Sequence, residues 1–123
     1  MKITGFDHVS IIVADAKRAF EFYHHVLGLE KVARPDLGFP GYWLDLGRGQ
    51  TLHLMELPNP YQGVERPAHG GRDDHFALRV DELEQWAAWL EKKGVPFTRS
   101  HSGRMALFLR DPDGNAIELF ECG

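Results

Sequence analysis

The chain predicts an α+β fold of two successive βαβββ modules, and three observations predict it. An internal repeat comes first: Asp7-His8-Val9-Ser10-Ile11-Ile12-Val13 returns as Asp74-His75-Phe76-Ala77-Leu78-Arg79-Val80, and Leu52-His53-Leu54-Met55-Glu56 as Ile117-Glu118-Leu119-Phe120-Glu121. Second, a capped amphipathic stripe follows the first run in each half. Third, each stripe is followed by three short strand-like runs set apart by Gly- and Pro-containing turns. The copies lie 67 residues apart at the first strands (Asp7, Asp74), 66 at the helix starts (Asp15, Asp81) and 65 at the last strands (Glu56, Glu121). One-residue losses in the connections account for that drift.

The elements follow in order. Gly5 to Val13 reads as a strand from its β-branched content. Asp15 is a candidate helix N-cap, able to accept from the free N–H groups of the first turn. Ala16, Ala19, Phe20, Tyr23, Val26 and Leu27 then recur at helical spacing, and Gly28 supplies the stop. In the second half Asp81 is the expected cap, with Glu84 as capping-box partner. Leu83, Trp86, Ala87 and Leu90 form the stripe there, and Gly94 the stop. Three strands are expected after each helix, Glu30–Ala33, Tyr42–Leu46 and Gln50–Leu57, then Pro96–Arg99, Met105–Arg110 and Asn115–Glu121. Gly47-Arg48-Gly49 and Asp111-Pro112-Asp113-Gly114 read as hairpin turns. The expected organisation is one domain over residues 1–123, with modules at 1–57 and 72–123 and a Pro- and Gly-rich linker at 58–71.

Composition narrows the classes. The chain is 43% hydrophobic with 13 glycines, ordinary for a globular protein and too apolar for intrinsic disorder. Its net charge of -4 and the lack of any Lys/Arg cluster argue against nucleic-acid binding. The lone Cys122 excludes an intramolecular disulfide framework. Neither a membrane-spanning apolar run nor a signal-peptide core is expected, so a cytoplasmic location is the default reading.

The repeat sets His8, His53, His75 and Glu118 at equivalent places in two copies of one unit. Strand alternation gives them one orientation. Val9, Ile11 and Val13 form the apolar, helix-facing set of the first strand, so His8 and Ser10 face away. Leu52 and Leu54 oppose His53, Phe76 and Leu78 oppose His75, and Ile117 and Leu119 oppose Glu118. If the copies pair about a local two-fold axis, three imidazoles and a carboxylate converge on the floor of a curved mixed sheet. A divalent metal cavity is the expectation. Ser10 and Arg104 are candidate substrate contacts. Tyr42 and Trp43 alternate, one inward and one packed, and Tyr42 is the third candidate. His69 could cap the site, whereas His24 and His25 read as surface or packing groups. Glu56 and Glu121 read as solvated strand-end carboxylates, and Asp7 and Asp74 as pairing groups at the strand starts.

The chain resembles the vicinal oxygen chelate superfamily, which includes glyoxalases, bleomycin-resistance proteins, extradiol dioxygenases and fosfomycin-resistance transferases. Asp7-His8-Val9, Ala19-Phe20-Glu21-Phe22-Tyr23 running into Val26-Leu27-Gly28-Leu29, His75-Phe76-Ala77, and Asp111-Pro112-Asp113-Gly114-Asn115-Ala116-Ile117-Glu118 carry the likeness. The resemblance implies paired βαβββ modules, a divalent ion (Ni, Zn, Mn or Fe) and a small-molecule substrate that offers it two neighbouring oxygens. By position it assigns the ion to His8, His75 and Glu118, with His53 at an optional site. A fourth protein ligand leaves two open positions on an octahedral ion and favours Lewis-acid chemistry, of lyase or isomerase type, over oxygen activation. Glu118, as a ligand that could loosen, is the candidate catalytic proton shuttle.

Two departures shape the alternatives. Glyoxalases of the glutathione type carry Glu where His53 stands, which counts against that isomerase. Ser10 matches fosfomycin-type thiol transferases, but the chain as read runs only five residues past Glu118, short of the C-terminal extension with which they bind the phosphonate. A ring-cleaving dioxygenase and a metal-free, bleomycin-resistance-like binding protein are the other readings. A homodimer is expected, because lone modules leave sheet edges that family members cover by pairing.

Overall fold

The computed structural model describes residues 1–122, which form two compact units, Met1–Gln62 and Gly63–Gly123. The first holds β1 (His8–Val13), α1 (Ala16–His25), β2 (Lys31–Val32), β3 (Gly41–Gly47) and β4 (Gln50–Glu56). Its sheet runs β1-β4-β3-β2, with β1 parallel to β4 and the other pairs antiparallel. The second holds a 3-10 turn (Gly70–Arg72), then β5 (His75–Val80), α2 (Leu83–Lys93), β6 (Phe97–Arg99), β7 (Ala106–Arg110) and β8 (Ala116–Glu121). Its sheet runs β5-β8-β7-β6 with the same pattern of directions. The fold is thus α+β, one four-stranded mixed sheet and one helix per unit. No helix among the described residues is long and apolar enough to cross a membrane.

Strand register reproduces the repeat. Ser10 pairs with His53 across β1 and β4, and Ala77 with Glu118 across β5 and β8. A one-residue slip would exchange the two faces of either strand, so the matching registers keep each central polar residue on one side. The helix sides are the cores. Leu52 and Leu54 of β4 and Leu44 of β3 are fully buried with Ala19 and Tyr23 of α1. Ile117 and Leu119 of β8 and Leu107 and Leu109 of β7 are buried with Leu83 and Leu90 of α2. Each such leucine contributes roughly 1.5–3 kcal/mol by leaving water.

β1 is shorter than expected. The strand begins at His8, and Ile3 and Phe6 before it are exposed. The helix caps differ more. Asp15 caps α1 as its sequence predicts, its Oδ1 accepting from the Arg18 N–H at 3.1 Å. α2 does not use Asp81: its N-cap is Glu82, in the left-handed region with φ 47° and without a side-chain cap. Glu84 forms no capping box and instead takes a two-pronged contact from the Arg99 guanidinium at 2.7 and 2.9 Å. The missing acceptors come from the far end of each unit. Glu56 Oε1 accepts from the Ala16 N–H at 2.9 Å, and Glu121 Oε1 from the Leu83 N–H at 2.6 Å. These carboxylates, expected to be solvated, satisfy helix N-termini, where the backbone dipole favours negative charge. Glu121→Ala should therefore cost about 1–2 kcal/mol in urea unfolding, and Glu121→Gln, which keeps an acceptor oxygen, less.

The Asp-Pro-Asp-Gly-Asn hairpin is held by one buried side chain. Asp111 Oδ1 accepts from the N–H groups of Asp113 and Asn115, both at 2.9 Å, and Oδ2 from Asn115 Nδ2 at 2.9 Å. Gly114 supplies the positive φ of 84° that the turn demands. The turn thereby sets where β8 starts, and with it the depth at which Glu118 sits.

Candidate metal and substrate site

Each unit brings together two of the four expected ligands. In the first, the His8 and His53 rings stack with centroids 4.2 Å apart, and Trp43 stacks on the other face of His53 at 4.1 Å. His8 Nδ1 lies 2.7 Å from Asp7 Oδ2 and donates to it, which directs the Nε2 lone pair outward. His53 Nε2 is 2.8 Å from Thr51 Oγ1. Burial, and then the neighbouring His8, lowers the His53 pKa, so its ring is neutral at neutral pH. Ser10 lies on this same face, opposite His53 in register.

The second unit holds the closer pair. His75 Nε2 stands 3.2 Å from Glu118 Oε1. His75 Nδ1 is 2.8 Å from the Asp73 carbonyl oxygen, which can only accept, so Nδ1 carries the proton. In its neutral form the ring aims its Nε2 lone pair at a carboxylate oxygen. Two acceptors facing each other require a proton or a cation between them. The Glu118 side chain is only 5% exposed, and its other oxygen, Oε2, is buried without any hydrogen-bond partner. A buried carboxylate oxygen left in that state is costly unless something positive meets it. These donors therefore fit a divalent cation: an imidazole in the ligand tautomer, oriented by a carbonyl, beside an underused carboxylate. Among the described residues of either unit, no third His, Cys, Asp or Glu joins its pair in a group able to hold a metal.

A network fixes this pair. Asp73 Oδ2 receives Arg66 Nε and Arg110 Nη1, both at 2.9 Å. Arg66, and then Arg110, hold the Asp73 carboxyl down to about 2. Arg110 also donates to the carbonyls of Gly114 at 2.7 Å and Pro67 at 2.5 Å. The stretch expected to be linker is thus tied to the second unit from Arg66 onward.

The face of β7 and β8 that carries Glu118 is roofed by the 3-10 turn. A Cβ on Gly70 would stand 3.2 Å from Ala116 Cβ, and one on Gly71 2.7 Å from His69 Nε2. The glycine pair permits this close approach. His69 donates to or accepts from Thr98 Oγ1 at 2.6 Å, and its ring stacks on His101 with centroids 4.0 Å apart. Burial, and then His101, lowers the His69 pKa. Phe108 sets its ring edge-on to His69 at 4.9 Å and to His75 at 5.2 Å. Together these groups line a cavity of about 270 Å³ that includes Arg72, Ser100, Ser102, Arg104 and Glu118. Gly71→Ala should tilt His69 off Thr98, seen as a shifted His69 ring resonance, at a stability cost of about 1–3 kcal/mol.

The other expected contacts are placed as follows. Arg104 lines the cavity, its Nη1 3.8 Å from Glu118 Oε2. Tyr42 lies on the helix side, stacked on Phe20 of α1 at 4.7 Å. Tyr42 is thereby the packed member of the alternating aromatics, and Trp43, beside His53, faces the site side. His24 binds the Leu29 carbonyl at 2.9 Å, a packing role as expected. Asp7 pairs with His8, but in the second unit Asp73, not Asp74, supports the histidine. Asp73, His101 and Phe108 were not singled out as site residues by sequence, whereas His69, expected as a possible cap, lines the cavity. The Gly70-Gly71 doublet shortly before His75 was the available signal, since glycine marks places where another backbone or side chain approaches closely.

Tandem βαβββ units with polar side chains at equivalent strand positions define the class of protein, and comparison gives its family. The model of the Glyoxalase/Bleomycin resistance protein/Dioxygenase superfamily matches residues 5–119, and the chain belongs to that superfamily. The chain is similar to Glyoxylase I 4 of Arabidopsis thaliana, 30% identical over 99% of this chain and 73% of that protein. It is also similar to a lactoylglutathione lyase of Haemophilus influenzae, 27% identical over 93% of this chain and 90% of the other. Among solved structures, a glyoxalase family protein from Bacillus anthracis superposes with a TM-score of 0.82 at 26% identity, covering 100% of this chain and 98% of that one.

Proposed function

We propose that this chain is a metal-dependent enzyme of the glyoxalase superfamily, of lyase or isomerase type, acting on a small substrate with adjacent oxygens. The observation that supports this reading best is His75 Nε2 facing Glu118 Oε1 at 3.2 Å beside a buried Glu118 Oε2 that makes no hydrogen bond and has Arg104 only at 3.8 Å. His75 and Glu118 would hold the ion in the second unit, and His8 and His53 are the candidate ligands of the first. When bound, such an ion supplies Lewis-acid stabilisation of negative charge developing on a substrate oxygen. The rest is the chain's own work. Asp73 holds His75 in the ligand tautomer, Phe108 fixes its ring, and Glu118 keeps one oxygen available to take up and return a proton. Ser10 and Arg104 are the proposed substrate contacts. β1 and β5 each lie at an edge of their sheet, which supports a homodimer.

Purified protein should carry close to one Ni²⁺, Zn²⁺, Mn²⁺ or Fe²⁺ per chain, and His75→Ala should weaken ion binding at least about 100-fold. Elemental analysis and thermal shift with each ion test this; saturating ion should add about 4 kcal/mol at a thousand times its Kd. Protein that carries no metal and shows no shift with any of the four ions overturns the reading in favour of a metal-free binding protein. Sedimentation at micromolar concentration tests the dimer, and a monomer refutes it.

A further inference from the structure

We infer that the cavity of the second unit binds the oxyanion group of a compact ligand, a carboxylate or a phosphate, between Arg104, Arg72 and the His69–His101 pair. This rests on the proposed function only in naming that ligand as the substrate. The chain as a whole carries a net charge of -4. The cavity is lined instead by two arginines and three imidazoles against one carboxylate. Neither arginine is held by a short contact, Arg104 reaching Glu118 only at 3.8 Å. Arg66, Arg99 and Arg110 of the same unit are each held by a carboxylate within 2.9 Å, whereas among the described residues Arg72 and Arg104 place no guanidinium N–H in a hydrogen bond.

Arg104 is also preset. Its guanidinium lies over the Phe120 ring at 4.1 Å, which fixes its plane, and at 3.8 Å from Glu118 it is drawn toward the floor without being consumed. A planar fork of free donors on an aromatic platform suits an oxyanion. Ser100 and Ser102, hydroxyls 2.9 Å apart, add donors at the rim. Volume limits the ligand. The cavity of about 270 Å³ is open to solvent, so only the portion of a ligand that enters it has to be small. The bound portion is therefore compact, with its acid group at the arginines and its other oxygens toward His75 and Glu118.

Glu118 supplies a test that needs no metal. The Glu118 side chain faces the arginine that would hold the anion, so replacing its acid by an amide should leave Arg104 freer and tighten anion binding. Full-length protein freed of metal with EDTA is titrated in separate arms with inorganic phosphate and with acetate, while the His69 and His101 ring resonances are followed. Saturable shifts are expected in at least one arm, and the tighter of the two anions identifies the acid group. Glu118→Gln should tighten binding about tenfold, and Arg104→Gln should weaken it about tenfold. No saturable shift with either anion, or equal affinity in Arg104→Gln and the unaltered protein, overturns the inference. Should Glu118→Gln fail to fold, the Arg104→Gln comparison decides alone. Ion uptake is measured apart: anion binding without ion uptake sinks only the proposed function, and uptake without anion binding sinks only this inference.

Discussion

Arg110→Met should lower the thermal midpoint by roughly 10 °C, from a loss of about 3 kcal/mol. The side chain donates to Asp73, Gly114 and Pro67 at once, and Met replaces its length while removing every donor. Asp73, whose side chain is 11% exposed, then keeps only Arg66 and the Asp74 N–H, and two carbonyls lose a partner. The effect depends on pH in a defined direction. The Asp73 pKa is depressed from 3.8 to about 2, so the stability it contributes is fully present above pH 4 and is lost as pH falls toward 2. Without Arg110 the folded-state value rises back toward 3.8, and the acid-induced loss across that window shrinks. Urea unfolding between pH 2 and 5 checks both magnitude and slope. Unchanged stability at pH 7 would mean that the clamp holds nothing.

Phe108→Ala is expected to cost about 3–4 kcal/mol and to weaken ion binding by tenfold or more. The ring is 7% exposed and contacts both His69 and His75 by its edges. Truncation opens a void beneath the roof and removes the ring packed against His75, leaving the bond to the Asp73 carbonyl and the contact with Glu118. Phe108→Leu separates the two effects, since it refills most of the volume without an aromatic edge. Urea unfolding should place Phe108→Leu within about 1.5 kcal/mol of the unaltered protein. Calorimetric titration with Ni²⁺ should still show it weakened. Equal ion affinity in all three proteins would show that the ring only fills space.

How much of this was legible in the sequence follows from the range of each interaction. The stripe Ala16, Ala19, Tyr23 and the alternation around His53 and Glu118 were readable because helical and strand periods are local. The registers Ser10 with His53 and Ala77 with Glu118 were readable because the repeat was. Glu56 and Glu121 were misread as solvated because their partners lie 40 and 38 residues away. α2 was misread at its start because the acceptor from Glu121 makes an Asp81 cap unnecessary. Alternation could not decide which of Tyr42 and Trp43 faced the site, since both are large aromatics; the Phe20 ring decided it. Asp73 escaped notice because it supports His75 through its main-chain carbonyl, a role any residue type can fill. The pairing of the four candidate ligands two by two follows the units, each of which contributes one strand-start imidazole and one central polar residue.

The long-range carboxylate bonds have a consequence for chain connectivity. In each half the last strand clasps the beginning of that half's own helix, so each half is a closed circuit whose integrity does not depend on the peptide joining it to the other. A circularly permuted polypeptide that starts at Gly63 and ends at Gln62 breaks none of the hydrogen bonds described above. Sequence order and architecture are separable here, as expected of a protein that arose by doubling a smaller one.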